Sequence, residues 1–165
     1  MTNALVKTDT RAPTNQGGII QLVTFELGSE EYGVDVLSVR EIIRMTPITA
    51  MPNAPEYVEG VINLRGTVVP ILSLRQRFCL PSLEIDSHSR ILVMEMANGK
   101  LIGFVVDGVA EVIRVTADNI QPPPDVVVQQ GAQECIAGIL QRDERLLIVI
   151  DLARLFDGHE LAEEL

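Results

Sequence analysis

The sequence predicts an all-β protein made by internal duplication: two small five-stranded barrels packed together, with short helices. Three observations predict it. The segment "QLVTFELGSEEYGVDVLSVREIIR" (21–44) lies over "ILVMEMANGKLIGFVVDGVAEVIR" (91–114) without a gap, pairing Gly33 with Gly103, Glu41 with Glu111 and Arg44 with Arg114, each seventy positions apart. After an insertion of eight residues, "GVINLRGTVVPILSLRQRF" (60–78) lies over "GILQRDERLLIVIDLARLF" (138–156), pairing Gly60 with Gly138 and Phe78 with Phe156. Each copy is rich in Val and Ile in short runs with closely spaced turn signals, which favours strands. Neither βαβ spacing nor enough polar positions for a two-faced open sheet is present, which leaves small closed barrels.

The first eighteen residues are polar and are expected to be disordered. Copy one, about 19–87, is read as lobe one, and copy two, about 88–156, as lobe two. Both open with a hairpin: Gly28-Ser29 turns the first, and Asn98-Gly99, whose residues tolerate positive φ, turns the second. In "VLSVREIIR" and "VDGVAEVIR" one helical turn is expected ahead of a strand, and Gly108 argues against a long helix. A second strand pair follows, "GVINL/TVVPIL" and "GILQ/RLLIVI", and then short helices at "LRQRF" and "LARLF". The tail 157–165, "DGHELAEEL", has four acids and no base and is expected to be a solvated or weakly helical end.

A length of 165 residues with 47% apolar content suits one globular unit with a real core. No run approaches the roughly 18 apolar residues of a membrane span, and the N-terminus lacks a signal-peptide centre, so a soluble, cytoplasmic protein is expected. Cys79 and Cys135 sit among apolar neighbours without metal-ligand spacing, so free thiols are expected and neither a metal nor a cofactor is. A net charge of −10 and 4% aromatic content argue against nucleic acid and for protein partners.

Against that charge, the loop at "NLRG" stands out. Residues 60–80 carry Arg65, Arg75 and Arg77 and no other charge, whereas the positions of copy two facing Asn63–Gly66 are Gln141, Arg142, Asp143 and Glu144. A barrel turn can therefore be made without Arg65 or Gly66. Arginine's planar fork suits it to hold a carboxylate or backbone carbonyls in one orientation. The competing reading is a solvated hairpin tip in which Gly66 supplies positive φ.

The strings "EEYGVDVLSVREI" (30–42), "PNAPEYVEGVINLRGTVVPILSLRQRF" (52–78), "IGFVVDGVAEV" (102–112) and "LLIVIDLARLF" (146–156) resemble the bacterial chemotaxis coupling family CheW. "GVINLRG" is its most specific string, and the resemblance covers roughly 19–156. It implies two five-stranded SH3-like barrels around a shared core. It also implies a non-catalytic adaptor that joins the cytoplasmic tips of methyl-accepting chemotaxis receptors, within membrane-associated arrays, to the regulatory domain of the histidine kinase CheA. One departure is Ser73, where the family usually has Asp; the change removes a carboxylate expected beside Arg75.

Carried over by residue, the resemblance implies receptor contacts at Val39, Glu41, Gly60, Arg65 and Gly66, with Val109 on the facing lobe. For Val39 and Val109 the alternative is ordinary core valine; Glu41 beside Arg65 is read as a candidate charge pair, to which the alternative is two independent solvated side chains. Kinase contacts are implied at Met45, Ile48 and Val126. Val126 opens the "VVV" run that follows the prolines at 122–124, where the alternative is a buried edge strand. Three rival classes are weighed. An enzyme finds no dyad, since "VVDGV" lacks the Ser or Thr of an aspartic-protease loop and Asp107 faces Leu37 in copy one. A small-barrel nucleic-acid binder has only the three arginines in its favour. A coupler of type IV pilus or other chemosensory-like systems shares the same domain.

Overall fold

The computed structural model describes residues 18–81, 84–96, 98–124 and 135–152. Among them the strands run β1 (Ile19–Leu27), β2 (Glu30–Asp35), β3 (Val39–Arg44), β4 (Val58–Leu64), β5 (Thr67–Ser73), β6 (Arg90–Glu95), β7 (Leu101–Val106), β8 (Gly108–Thr116), β9 (Ile136–Arg142) and β10 (Arg145–Ile150). One short helix, α1 (Leu74–Arg77), and 3-10 turns at Val36–Ser38 and Ala117–Asn119 complete the description. The fold is all-β with two five-stranded sheets, as expected. The expected lobes at 19–87 and 88–156 do not coincide with them. Sheet A has the order β8-β1-β2-β10-β9 and sheet B the order β3-β6-β7-β5-β4.

Each half therefore gives its opening hairpin to the sheet that the other half completes. Exchanging β1 with β6, β2 with β7, β3 with β8, β4 with β9 and β5 with β10 converts one sheet order into the other. The duplication read in the sequence is thus an exchange in space. A two-stranded hairpin is marginal alone, and pairing on both sides is what lets strands so apolar be buried. β2 runs parallel to β10 through Glu31–Gly33, and β7 runs parallel to β5 through Gly103–Val105.

Three apolar clusters follow from this arrangement. Leu22, Leu140, Leu147 and Val149 fill the concave side of sheet A, and Ile62, Val69, Ile71, Ile91 and Val93 fill that of sheet B. Between the sheets lies the largest cluster, with Val23, Phe25, Leu27, Leu72, Leu74, Leu92, Met94 and Phe104. Alternation along β6 explains its near-continuous burial: Ile91 and Val93 point into sheet B while Leu92 and Met94 point to the inter-sheet core.

In each sheet one isolated bridge ties the segment after an edge strand to the opposite edge, without closing the sheet into a continuous barrel. Beyond β3, Thr49 crosses to β4, where Thr49 N donates to Val61 O and Val61 N to Thr49 O, both at 2.9 Å. Gln121 and Ile139 make the matching bridge in sheet A, at 2.9 and 2.7 Å. Beside each bridge sits a glycine that the sequence alignment paired. A Cβ on Gly60, whose φ is +148°, would stand 2.2 Å from Thr49 O, and one on Gly138 would stand 2.8 Å from Gln121 O.

Locally, Asp35 caps the turn at Val36–Ser38, its Oδ1 accepting from Leu37 N at 2.9 Å, so the expected helical turn is present in copy one. Copy two has none there, because β8 begins at Gly108 directly after Asp107. Gly28 and Gly99 take the positive φ their hairpins need, 63° and 86°. The "LARLF" helix is described only at its first residue, Leu152; the segment 1–17, the tail 157–165 and Val126 lie outside the described residues.

Gly60→Ala is expected to lower stability by about 1–3 kcal/mol or more, since overpacking against backbone cannot relax by a rotamer change. Urea unfolding measures it, and an unchanged midpoint would show that the seam between β3 and β4 is not bridged as described.

Candidate functional site

The seam of sheet B brings together two of the residues singled out in the sequence. Glu41 lies on β3 and Arg65 at the β4–β5 turn, on opposite edges in strand order, yet Arg65 Nη2 donates to Glu41 Oε2. The pair is oriented and open to solvent, with Arg65 69% and Glu41 29% exposed. The turn itself is set by Arg65 at φ 50° and Gly66 at φ 92°. Both central residues having positive φ is the signature of a tight hairpin whose twist matches its strands. Asn63 Oδ1 accepts from Gly66 N at 2.7 Å and locks the tip. No heavy atom comes within 4 Å of where a Gly66 Cβ would stand, so this glycine is required for backbone conformation alone.

Sheet A has a counterpart with a different chemistry. Arg142 Nη2 reaches Glu111 Oε2 at 3.1 Å across the same seam, but the turn holds Asp143 at φ 47° followed by Glu144. The two sheets are alike in this contact and unlike in what their turns present, Arg65 and Gly66 in sheet B against Asp143 and Glu144 in sheet A. Val68, two residues beyond Gly66, leaves an aliphatic side chain 67% exposed beside the cationic tip, a feature sequence reasoning passed over.

The other expected receptor residues take different places. Gly60 is buried under Thr49, so it shapes the seam and presents no side chain. Val39 and Val109, equivalent positions of β3 and β8, are half-buried against the inter-sheet core. Each touches that core on one side and is accessible on the other. Met45 and Ile48 are half-buried against the core of sheet B, and Ile48 Cγ2 would lie 2.8 Å from a Gly60 Cβ.

The basic spot read from Arg65, Arg75 and Arg77 is dispersed by folding. Arg65 pairs with Glu41, the Arg77 guanidinium lies 5.5 Å from the centre of the Tyr57 ring, and Arg75 grips Asp107 with both arms of its fork. Arg75 Nε donates to Asp107 Oδ1 at 3.1 Å and Nη2 to Oδ2 at 2.6 Å, while Gly28 N donates to Oδ2 at 2.7 Å. Arg75 thus keeps a carboxylate partner although Ser73 is no acid; Ser73 Oγ instead accepts from Gln76 N at 3.2 Å and caps α1. A separation of 32 residues hid this pair from local reading. Burial pushes the Asp107 carboxyl up, but the Arg75 and Gly28 hydrogen bonds and the Arg75 charge outweigh it and hold the group below its ordinary value. The bond to Asp107 raises Arg75 in turn.

An open cavity of about 280 Å³ lies between the sheets, with Leu22 and Val34 from sheet A and Met94 and Glu95 from sheet B. It contains none of the expected receptor residues. Among the described residues, no group of His, Cys, Asp and Glu could hold a metal ion and no helix is long and apolar enough to cross a membrane.

Comparison with known proteins supplies the decisive observation: residues 21–160 match the CheW-like domain. The chain belongs to the CheW family. It is 39% identical over 145 residues to the chemotaxis protein CheW of Treponema pallidum, covering 86% of this chain and 84% of that one. It is 37% identical over 142 residues to that of Klebsiella aerogenes, with the same coverage of both chains. Among solved structures, the scaffolding protein TtCheW of Thermoanaerobacter tengcongensis superposes with a TM-score of 0.76 at 36% identity, over 85% of this chain and 94% of that one. The resemblance carried by "GVINLRG" is thereby established, and this CheW-family chain takes its place among chemotaxis scaffold proteins.

Two outcomes are expected. Arg65→Ala should leave the melting temperature nearly unchanged, because an exposed ion pair is worth about 0–1 kcal/mol; a collapse of the transition would make the residue structural. For Asp107, a folded value below the unfolded one means that the unfolded chain binds the proton more readily. Its contribution is full above the unfolded value, about pH 4, and is lost as pH falls through the folded one. Asp107→Asn should remove that share of the acid sensitivity in unfolding measured from pH 6 to pH 2, and an unaltered profile would refute it.

Proposed function

We propose that this CheW-family protein is a non-catalytic adaptor that couples the cytoplasmic tips of chemoreceptors to the regulatory domain of the histidine kinase CheA. The observation that carries this reading is the asymmetry of two equivalent seams. Sheet B ends in an oriented, solvent-open Arg65 held by Glu41, whereas sheet A ends in Asp143 and Glu144. Duplication followed by divergence of one tip leaves sheet B with a cationic recognition turn that its counterpart in sheet A lacks.

The receptor surface comprises Arg65, Glu41 and the Gly66 turn, with the accessible sides of Val39 and Val109, on a backbone course that Gly60 permits. A receptor tip is a helical hairpin, for which a groove with apolar walls and one fixed charge is a suitable seat. The kinase surface comprises Met45, Ile48 and Val126. Joined to both partners, the adaptor raises the kinase's effective concentration at the receptor without contributing a chemical group.

Reconstitution from purified receptor fragments, kinase and this protein tests the reading, with phosphate incorporation into the kinase as the readout. Receptor control of that rate should require this protein and fail with Arg65→Glu, and Arg65→Ala should weaken receptor binding by about 2–5 kcal/mol. Val126→Asp should impair kinase association and spare receptor binding, because a lone carboxylate in an apolar contact loses its water without gaining a partner. Competition between receptor and kinase, with no ternary complex at saturation, would refute the bridge.

A further inference from the structure

We infer that Asp107 and Arg75 form an orienting lock, a pair of positioning residues that fix the angle between the two sheets. Five other ion pairs are each internal to one sheet or one loop. Arg40–Glu95 and Arg65–Glu41 lie within sheet B, Arg142–Glu111 and Arg145–Glu31 within sheet A, and His88–Asp86 within one loop.

Asp107 differs in position and in partners. It is the one residue between β7 of sheet B and β8 of sheet A, so the chain changes sheets there. Its backbone N–H donates to Glu26 O of β1 at 2.9 Å, and its carboxylate accepts from Gly28 N at the β1–β2 turn at 2.7 Å, both in sheet A. The same carboxylate takes the bidentate fork of Arg75, which leaves β5 of sheet B through α1. Arg75 Nη1 also donates to Pro81 O at 2.6 Å. The pair is sheltered, with side chains 15% and 21% exposed.

The apolar core between the sheets supplies attraction but little direction, since the hydrophobic effect scales with area and tolerates sliding. A planar fork on a carboxylate that is itself held by a backbone N–H fixes both distance and angle. Lysine would keep the charge but, as a single point donor, could not hold both carboxylate oxygens and the Pro81 carbonyl. The lock is thus a property of arginine geometry and not of charge alone.

The proposed coupling role enters only in the consequence for signalling, so the first measurement involves no partner. Spin labels are placed at Val68→Cys on β5 and Leu146→Cys on β10, equivalent exposed positions of the two sheets, in a Cys79→Ser background. Pulsed dipolar spectroscopy should give one narrow distance distribution for the parent. It should shift and broaden in Asp107→Asn and in Arg75→Lys, and stay narrow in Glu111→Gln, which cuts an ion pair inside sheet A. Unchanged distributions in Asp107→Asn and Arg75→Lys overturn the inference. So does loss of the cooperative unfolding transition in both, which would make the pair a folding requirement. If Asp107→Asn fails to fold and Arg75→Lys folds, the latter decides. In the reconstituted system, Arg75→Lys should keep both binary affinities within two-fold of the parent yet lose receptor control of the kinase. Broadened distances with control intact would overturn only that consequence, and absence of bridging by the parent would overturn only the coupling role.

Discussion

The exchange of opening hairpins between the two halves is the constraint on which the rest of the structure depends. Because β1 and β2 are paired by β8 and β10, and β6 and β7 by β3 and β5, neither sheet exists without both halves of the chain. That exchange puts Val23, Phe25 and Leu27 on the same inter-sheet core as Leu92, Met94 and Phe104. It also makes the chain cross between sheets twice, through Val36–Ser38 and at the single residue Asp107. The second crossing places a carboxylate within reach of both a backbone N–H of one sheet and a guanidinium of the other.

Charge is used in two ways in this chain, and exposure separates them. The Glu41–Arg65 pair spans a seam already closed by backbone hydrogen bonds at Thr49 and Val61, and it stands in solvent. Screening and side-chain entropy leave such a pair little to add to stability, so its orientation is available for recognition. The Arg75–Asp107 pair is sheltered and shares its carboxylate with Gly28 N, so breaking it leaves a partly buried charge without its partner. Symmetry makes the contrast sharper. Glu111 and Arg142 repeat the seam contact in sheet A, but there two carboxylates, Asp143 and Glu144, stand where sheet B has Arg65 and Gly66.

How much was legible in the sequence depended on the range of the interaction. The hairpin at Gly28, the helix at "LRQR" and the Arg65-Gly66 turn rest on neighbours within a few residues, and reading them locally succeeded. The pairing of Gly60 with Gly138 was visible as a repeat, though not its cause, since the Thr49 and Gln121 carbonyls that forbid a side chain come from segments remote in sequence. The lobes were misplaced because a repeat shows which segments are alike and not which ones pair. β2 beside β10 and β7 beside β5 are parallel contacts made across the whole chain.

By itself the sequence determined the all-β class, the duplication, the divergence of one turn and, through "GVINLRG", the family. These follow from side-chain periodicity, turn chemistry and composition, which act over short stretches of chain. Only the tertiary structure decided that the halves exchange hairpins, that the Glu41–Arg65 pair read from the sequence spans the two edges of one sheet, and that Arg75 faces Asp107. Each of those requires two segments far apart along the chain to be brought together, and what brings them together is burial of apolar surface. Because that force is non-directional, the pattern in the sequence states which residues are buried but not which of them meet.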